Sequence, residues 1–249
     1  MASLTVQVVA NDEDGYIRFG EDGGMGMGGG DITQFVTNAR VKVGQHSMAG
    51  GSSYEPDTFY GWIHLKNLTI EQGATINNAK LHFYHHANNG FDMSSDPGEG
   101  FTVKAEDTDD ASKPTSYSDV NGWTLTSAGV STGSLIDASP GGMGPNEEFA
   151  NQWYPTHASA GTGLEIKTIL QELVDRSGWS SGSNVNLKLT PTDHNGSDDW
   201  DIEWRDRDAG TATFNGSAAS SMALVIDYTD PAGGGGVTAT PAAFLLFLD

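Results

Sequence analysis

Three acidic clusters are the residues of this chain best equipped for chemistry. Asp12, Glu13 and Asp14 precede Gly15. Asp107, Asp109 and Asp110 close an alternating apolar stretch, and Asp193, Asn195, Asp198, Asp199 and Asp201 form a third polar run. Calcium takes six to eight oxygen ligands from flexible loops, so Asp12, Asp14, Asp107, Asp109 and Asp110 are candidate ligands for a structural calcium. None of the clusters is an EF-hand, because Gly196 is misplaced and Trp204 stands where the bidentate glutamate belongs. Solvated acidic loops are the commoner meaning of such clusters.

The seven histidines include no HExxH. His82 and His86 share strand parity, and His64 could neighbour them on an adjacent strand, which would make a three-imidazole zinc site. Cross-strand polar histidines are more frequent. Gly178-Trp179-Ser180-Ser181-Gly182 fits GxSxG. A nucleophile elbow runs strand, serine, helix; here a helix comes first, so the motif reads as a helix-to-strand turn. Gly24, Gly26 and Gly29 spell GxGxxG, but Gly30 and Asp31 follow with no helical stripe, so the match is chance. Trp62, Trp123, Trp153, Trp179, Trp200 and Trp204 could offer a sugar-stacking face. Trp200 and Trp204 share parity with Ile202 and are expected to face a core. Trp153 and Tyr154, expected in a loop, are the candidate exposed pair for carbohydrate. Nothing in the sequence singles out a carboxylate pair for glycoside hydrolysis.

These residues need elements to hold them. Ile166, Ile169, Leu170, Leu173 and Val174 recur with helical spacing, which predicts one amphipathic helix over about 164–176. Thr162 and Gly163 fit its N-cap, Glu165 its first turn, and Gly178 a left-handed stop. The period then becomes two: Val185, Leu187 and Leu189 alternate with Asn184, Asn186 and Lys188. Strands are also predicted around residues 4–8, 16–19, 39–44, 59–65, 79–84, 101–105, 129–136, 200–205 and 222–228, with residues 67–76 turning into the strand at 79–84. Leu81 and Phe83 should face one side, and Lys80, His82 and Tyr84 the other. Turn residues separate the strands. The fold class is therefore all-β, a jelly-roll β-sandwich with one amphipathic helix over residues 1–230. Gly233–Gly236 form a linker. Residues 237–249, VTATPAAFLLFLD, read as an apolar strand that must pair.

Composition narrows the partners. Lys plus Arg number 12 and Asp plus Glu 33, a formal net charge of 12 − 33 = −21, which repels nucleic-acid phosphate and anionic membrane. The absence of cysteine excludes disulfides, a thiolate nucleophile and Cys-based zinc. No apolar run reaches membrane-spanning length. The first residues show neither a basic n-region nor an apolar h-region, so no signal peptide is expected and the chain would be made in a host cytoplasm.

Several segments resemble a family of extracellular and phage-associated β-sandwich modules, the DNRLRE-type and carbohydrate-binding-module-like jelly rolls. They are Asp12–Tyr16, the aromatic strand ending at Leu65, Gly73–Leu81, Val103–Ala111 (VKAEDTDDA), Gln171–Gly182 (QELVDRSGWSSG) and Met222–Tyr228, together covering about residues 4–229. The resemblance implies a sandwich with one helix, no catalytic centre, often a structural calcium, and a role as a surface or stalk module.

The leading expectation is a non-enzymatic structural protein on the surface of a viral particle, a phage capsid decoration, head fibre or tail-associated protein. Its partners would be other copies of itself and other virion proteins. Val237, Phe244, Leu245, Leu246, Phe247 and Leu248 would anchor it by strand pairing. The alternatives are a carbohydrate-binding or adhesin module recognising a host surface glycan, and a subunit of an extracellular filament. A lectin has no use for so apolar a tail; an assembly protein does.

Overall fold

A computed structural model describes residues 1–8, 12–21, 31–37, 40–46, 57–85, 100–132, 152–154, 163–192, 200–205, 213–214, 217–218 and 222–231. In chain order these form β1 (Ala2–Gln7), β2 (Asp14–Glu21), β3 (Asp31–Thr37), β4 (Arg40–His46), β5 (Asp57–Leu68), β6 (Thr75–His85), β7 (Phe101–Ala105), α1 (Tyr117–Asn121), β8 (Val130–Ser131), β9 (Gln152–Tyr154), β10 (Leu164–Glu165), α2 (Lys167–Val174), β11 (Ser183–Pro191), β12 (Trp200–Arg205), β13 (Thr213–Phe214), β14 (Ser217–Ala218) and β15 (Met222–Thr229).

Two antiparallel sheets carry the fold. The smaller has the order β1-β15-β6-β10, with β9 also on β6. The larger runs β12-β4-β5-β11-β7-β8, with β2 on β5 and β3 on β2. A separate ribbon pairs β13 with β14. The period-two strands explain the stacking. Leu81, Phe83, Leu224 and Ile226 of the smaller sheet share one buried cluster with Ile63, Leu65, Val103, Leu187 and Leu189 of the larger. The molecule is thus an all-β sandwich.

α2 closes one end of this core. Its stripe, Ile169, Leu170, Leu173 and Val174, is buried, and each such side chain contributes roughly 1.5–3 kcal/mol by leaving water. The helix is shorter than its sequence pattern. Leu164 and Glu165 pair with Leu81 and Lys80 as β10, and the Ile166 N–H donates to the Ala79 carbonyl at 2.8 Å. Sheet pairing therefore takes the residues that propensity assigned to the first turn. Ile166, not Thr162 or Gly163, occupies the N-cap. Gly178 is not the helix stop either. Asp175 ends the helix in a right-handed conformation, and Gly178 lies so close to Asp109 that a Cβ there would overlap the carboxylate where it now sits. The left-handed glycines nearby are Gly73 (φ +71°) and Gly182 (φ +97°), each in a turn between elements.

The larger sheet is covered on its other face as well. Ile17, Trp62 and Val120 form a second buried cluster, flanked by Phe35, Tyr60, Tyr117 and Trp123. Phe35 stacks on Trp62 at 5.4 Å. α1, which the helical-period reading did not anticipate, supplies Val120. Ser116 caps it by accepting from the Asp119 N–H at 3.2 Å, while Asp119 Oδ2 accepts from the Thr115 N–H at 2.7 Å. Lys188 reaches the other end of α1 and donates to the Val120 carbonyl at 3.2 Å. β3 was likewise not anticipated. It pairs with β2 from Gly15↔Thr37 to Glu21↔Asp31. Residues 133–136 of the strand expected at 129–136, and the C-terminal strand at 237–249, lie outside the described residues.

Candidate functional site

Three of the sequence segments that carry the resemblance, Gly73–Leu81, Val103–Ala111 and Gln171–Gly182, are bonded together through α2 and the turn after it. Gln171 on α2 donates to the Ala74 carbonyl at 3.0 Å and accepts from the Ile76 N–H at 2.8 Å. The Gly73 N–H donates to the Val174 carbonyl at 3.0 Å. Trp179, 3 % exposed, donates from Nε1 to the Ile70 carbonyl at 2.8 Å. Arg176 turns the other way. Its Nε donates to Asp109 Oδ1 at 2.6 Å, and its Nη1 pairs with Asp107. The hydrogen bond from Arg176 to Asp109 raises the guanidinium pKa further. Asp110 accepts from the Asn184 N–H and Nδ2 at 2.8 and 2.9 Å. Glu172 accepts from the Ser127 and Ala128 N–H groups at 2.7 Å each. α2 and its following turn thus clamp the 69–76 turn, the loop after β7 and the segment leading to β8.

This arrangement divides the five candidate calcium ligands. Asp107 and Asp109 share Arg176, whose guanidinium stands where a cation between them would have to stand. Asp110 is bonded to Asn184. Asp12 pairs with Lys113, whose hydrogen bond holds the carboxyl below its usual pKa. Asp14 is fully buried at the start of β2. As placed, Asp107, Asp109, Asp110 and Asp12 are each bonded to another side chain of the fold. Among the described residues no group of three or more His, Asp or Glu side chains is gathered to hold a metal. The histidines are separated too: His64 is on β5 in the larger sheet and His82 on β6 in the smaller. His86, and the run from Asp193 to Asp199, lie outside the described residues.

A different set of polar side chains does converge. Asn186, fully buried on β11, donates from Nδ2 to Glu106 Oε2 at 2.7 Å and to the Ser112 carbonyl at 2.8 Å. With both amide hydrogens committed, its Oδ1 accepts from His64 Nδ1, 2.7 Å away. That fixes the neutral imidazole with its proton on Nδ1. Burial lowers the His64 pKa, against the favourable bond to Asn186. Burial also raises the Glu106 pKa, although the Asn186 amide opposes it. The His64 N–H donates to the Glu13 carbonyl at 2.6 Å, and the Glu13 side chain pairs with Lys66. A line of bonded polar groups therefore runs from the start of β2, under β5 and β11, to Glu106.

Glu106 opens onto a cleft of about 600 Å³ between the loop after β7 and α1. Lys113, Ser118, Asp119, Trp123 and Thr124 also line it. Sequence reading named Trp123 only among six tryptophans and missed Glu106 and Asn186. The one local signal was Ser116-x-x-Asp119, the capping pattern that sets the cleft's far wall.

Gly178–Gly182 is a helix-to-strand turn, with α2 ending at Val174 and β11 starting at Ser183. Trp153 and Tyr154 are not in a loop. They form β9, with Tyr154 opposite Phe83 and Trp153 opposite Tyr84. His82 does not look into solvent. It is 1 % exposed, because Gly163 packs so close that a Cβ there would come within 2.6 Å of the ring. Val237, Phe244, Leu245, Leu246, Phe247 and Leu248 lie outside the described residues, as does the Gly24–Gly29 motif. No helix among the described residues is long and apolar enough to cross a membrane. No protein-family model matches the chain, and a search of curated proteins finds no match.

Proposed function

We propose that this chain is a non-enzymatic structural protein of an assembled surface, and that the assembly is a phage particle, with the sandwich as a jelly-roll-type module displayed outward as a capsid decoration, head fibre or tail-associated protein. The observation that carries this reading is the use made of the chain's polar motifs. Gln171, Glu172, Arg176, Trp179, Asp107, Asp109 and Asp110 all bond to other parts of the fold and tie its loops together. A second feature supports attachment. β1 pairs with β15 and with no other strand among the described residues, so one edge of the smaller sheet ends there. An edge strand accepts a further strand by backbone hydrogen bonding, and the apolar segment 237–249 of a neighbouring copy has the composition to supply it. Repetition over a symmetric particle would multiply each such contact.

Light scattering on the full chain and on a chain ending at Asp230 tests this. Assembly of the full chain with a folded, monomeric truncated form is the expected result. Two monomers of equal stability would refute the anchoring role.

The second reading, a carbohydrate-binding or adhesin module, is favoured by the cleft beside Trp123, an aromatic ring set among rigid polar groups.

A further inference from the structure

We propose that the cleft between the loop after β7 and α1 is a binding site for a neutral saccharide, with the Trp123 indole as its stacking surface and Glu106, Asp119 and Lys113 as its hydrogen-bonding groups. This rests on the second reading above and gives it a site distinct from Trp153 and Tyr154.

Trp123 packs against the Ile17–Trp62–Val120 cluster, yet stays half-buried and lines the cleft. An indole fixed on one side and open on another is a platform for a flat apolar face, and the C–H face of a pyranose ring is such a surface. The cleft volume falls within the range of small-molecule sites.

The polar groups around the ring are held in place before any ligand arrives. Glu106 is fixed by Asn186 at 2.7 Å. Asp119 is fixed by the Thr115 N–H and hydroxyl at 2.7 and 2.9 Å. Lys113 is paired with Asp12. Each keeps spare hydrogen-bonding capacity, because a carboxylate has about four lone-pair positions and an ammonium three hydrogens. Ser118 and Thr124 add hydroxyls that both give and accept. A mixed, pre-ordered set of donors and acceptors beside an aromatic ring suits a ligand with many hydroxyls, since little ordering cost remains at binding.

Charge selects among such ligands. The chain's net charge of −21 opposes uronic or sialic acids. A cationic ligand would need uncommitted carboxylates. Asp107 is paired with Arg176, Glu106 with Asn186 and Asp119 with Thr115, and Lys113 adds a positive charge at the cleft. A neutral saccharide meets neither obstacle.

The test uses the full chain and four probes: cellotriose, maltotriose, mannotriose and N,N′,N″-triacetylchitotriose. Binding is read by saturation-transfer NMR and calorimetry, with spermidine as the cationic control. At least one saccharide is expected to bind saturably. Trp123→Ala and Glu106→Gln should each weaken it about ten-fold, a loss of about 1.4 kcal/mol. Because Trp123→Ala removes packing from the second cluster, Ser118→Trp serves as a variant that fills the cleft and leaves Trp123 in place; it should abolish binding. Saccharide binding unchanged in Ser118→Trp and Trp123→Ala would overturn this site while leaving a carbohydrate-binding role elsewhere on the molecule. No binding of any of the four saccharides, or binding of spermidine alone, would overturn both.

Discussion

His82 should make this protein measurably sensitive to mild acid. Its ring is 1 % exposed on β6, covered by Gly163, with the Lys80 ammonium on the same face of the strand. Burial, and to a lesser degree the Lys80 charge, lower its pKa from 6.5 to about 4. The folded protein therefore holds His82 neutral, while the unfolded chain takes up a proton near pH 6.5. Stability contributed by neutral His82 is complete above that pH and is lost as pH falls toward about 4. A gap of about 2.5 between the two pKa values is worth about 3.4 kcal/mol in full. Integrating the proton uptake gives a loss of about 2 kcal/mol by pH 5 and about 3 kcal/mol by pH 4. Urea denaturation of the wild type and of His82→Gln, at intervals from pH 7.5 to 4.5, isolates this effect. His64 titrates in the same direction and Glu106 in the opposite one, but both remain in the variant, so the difference between the two slopes belongs to His82. The wild type should lose about 2 kcal/mol more than the variant between pH 7.5 and 5. Parallel pH profiles, or an NMR titration placing His82 near 6.5, would refute the reasoning.

Three other perturbations follow from the clamp and the buried line. Gly178→Ala drives a Cβ into the Asp109 carboxylate and should cost about 1–3 kcal/mol, as over-packing does; in an Asp109→Ala background most of that cost should vanish, which a double-mutant cycle on denaturant midpoints measures. Asn186→Ala strips partners from His64, Glu106 and the Ser112 carbonyl together. At about 1–3 kcal/mol for each buried group left unsatisfied, with Glu106 regaining some water at the cleft, the loss should reach about 3–5 kcal/mol by the same assay. Asn186→Asp should also be destabilised at pH 7, because its second oxygen faces the Glu106 carboxylate and the Ser112 carbonyl, both acceptors.

The strand pattern was legible in this sequence wherever apolar residues on one face alternate with polar residues on the other. Val185, Leu187 and Leu189 alternate with polar residues, and so do Val103 and its neighbours, because period two is imposed by the sandwich core. The apolar stripe of α2 was legible for the same reason. β3 was hidden because it hangs on β2 and contributes Phe35 to the second cluster, leaving it without a clean alternation. α1 spans five residues and buries Val120 alone, too little for helical periodicity to register. The start of α2 was misread because a pairing with β6 outweighs local propensity. The site was the least readable part. Glu106 and Asn186 lie 80 residues apart, and His64 and Asn186 122 apart, so their meeting depends on strand register. That Arg176 pairs with both Asp107 and Asp109 was equally hidden, because it lies 69 and 67 positions from them.

The pairing of β15 between β1 and β6 has a mechanical meaning. β15 runs antiparallel to both neighbours, with Met222 opposite Phe83, and with Ala223 opposite Gln7 and Tyr228 opposite Ala2. A pull on the chain just beyond Thr229, along the axis of β15 and resisted by a ligand held near α1, loads the hydrogen bonds on both sides of that strand at once. They must yield together in shear. A pull on Ala2 away from the sheet instead opens the β1 ladder one rung at a time, like a zipper. A load carried along β15 thus meets two ladders at once, and a load that lifts β1 meets one.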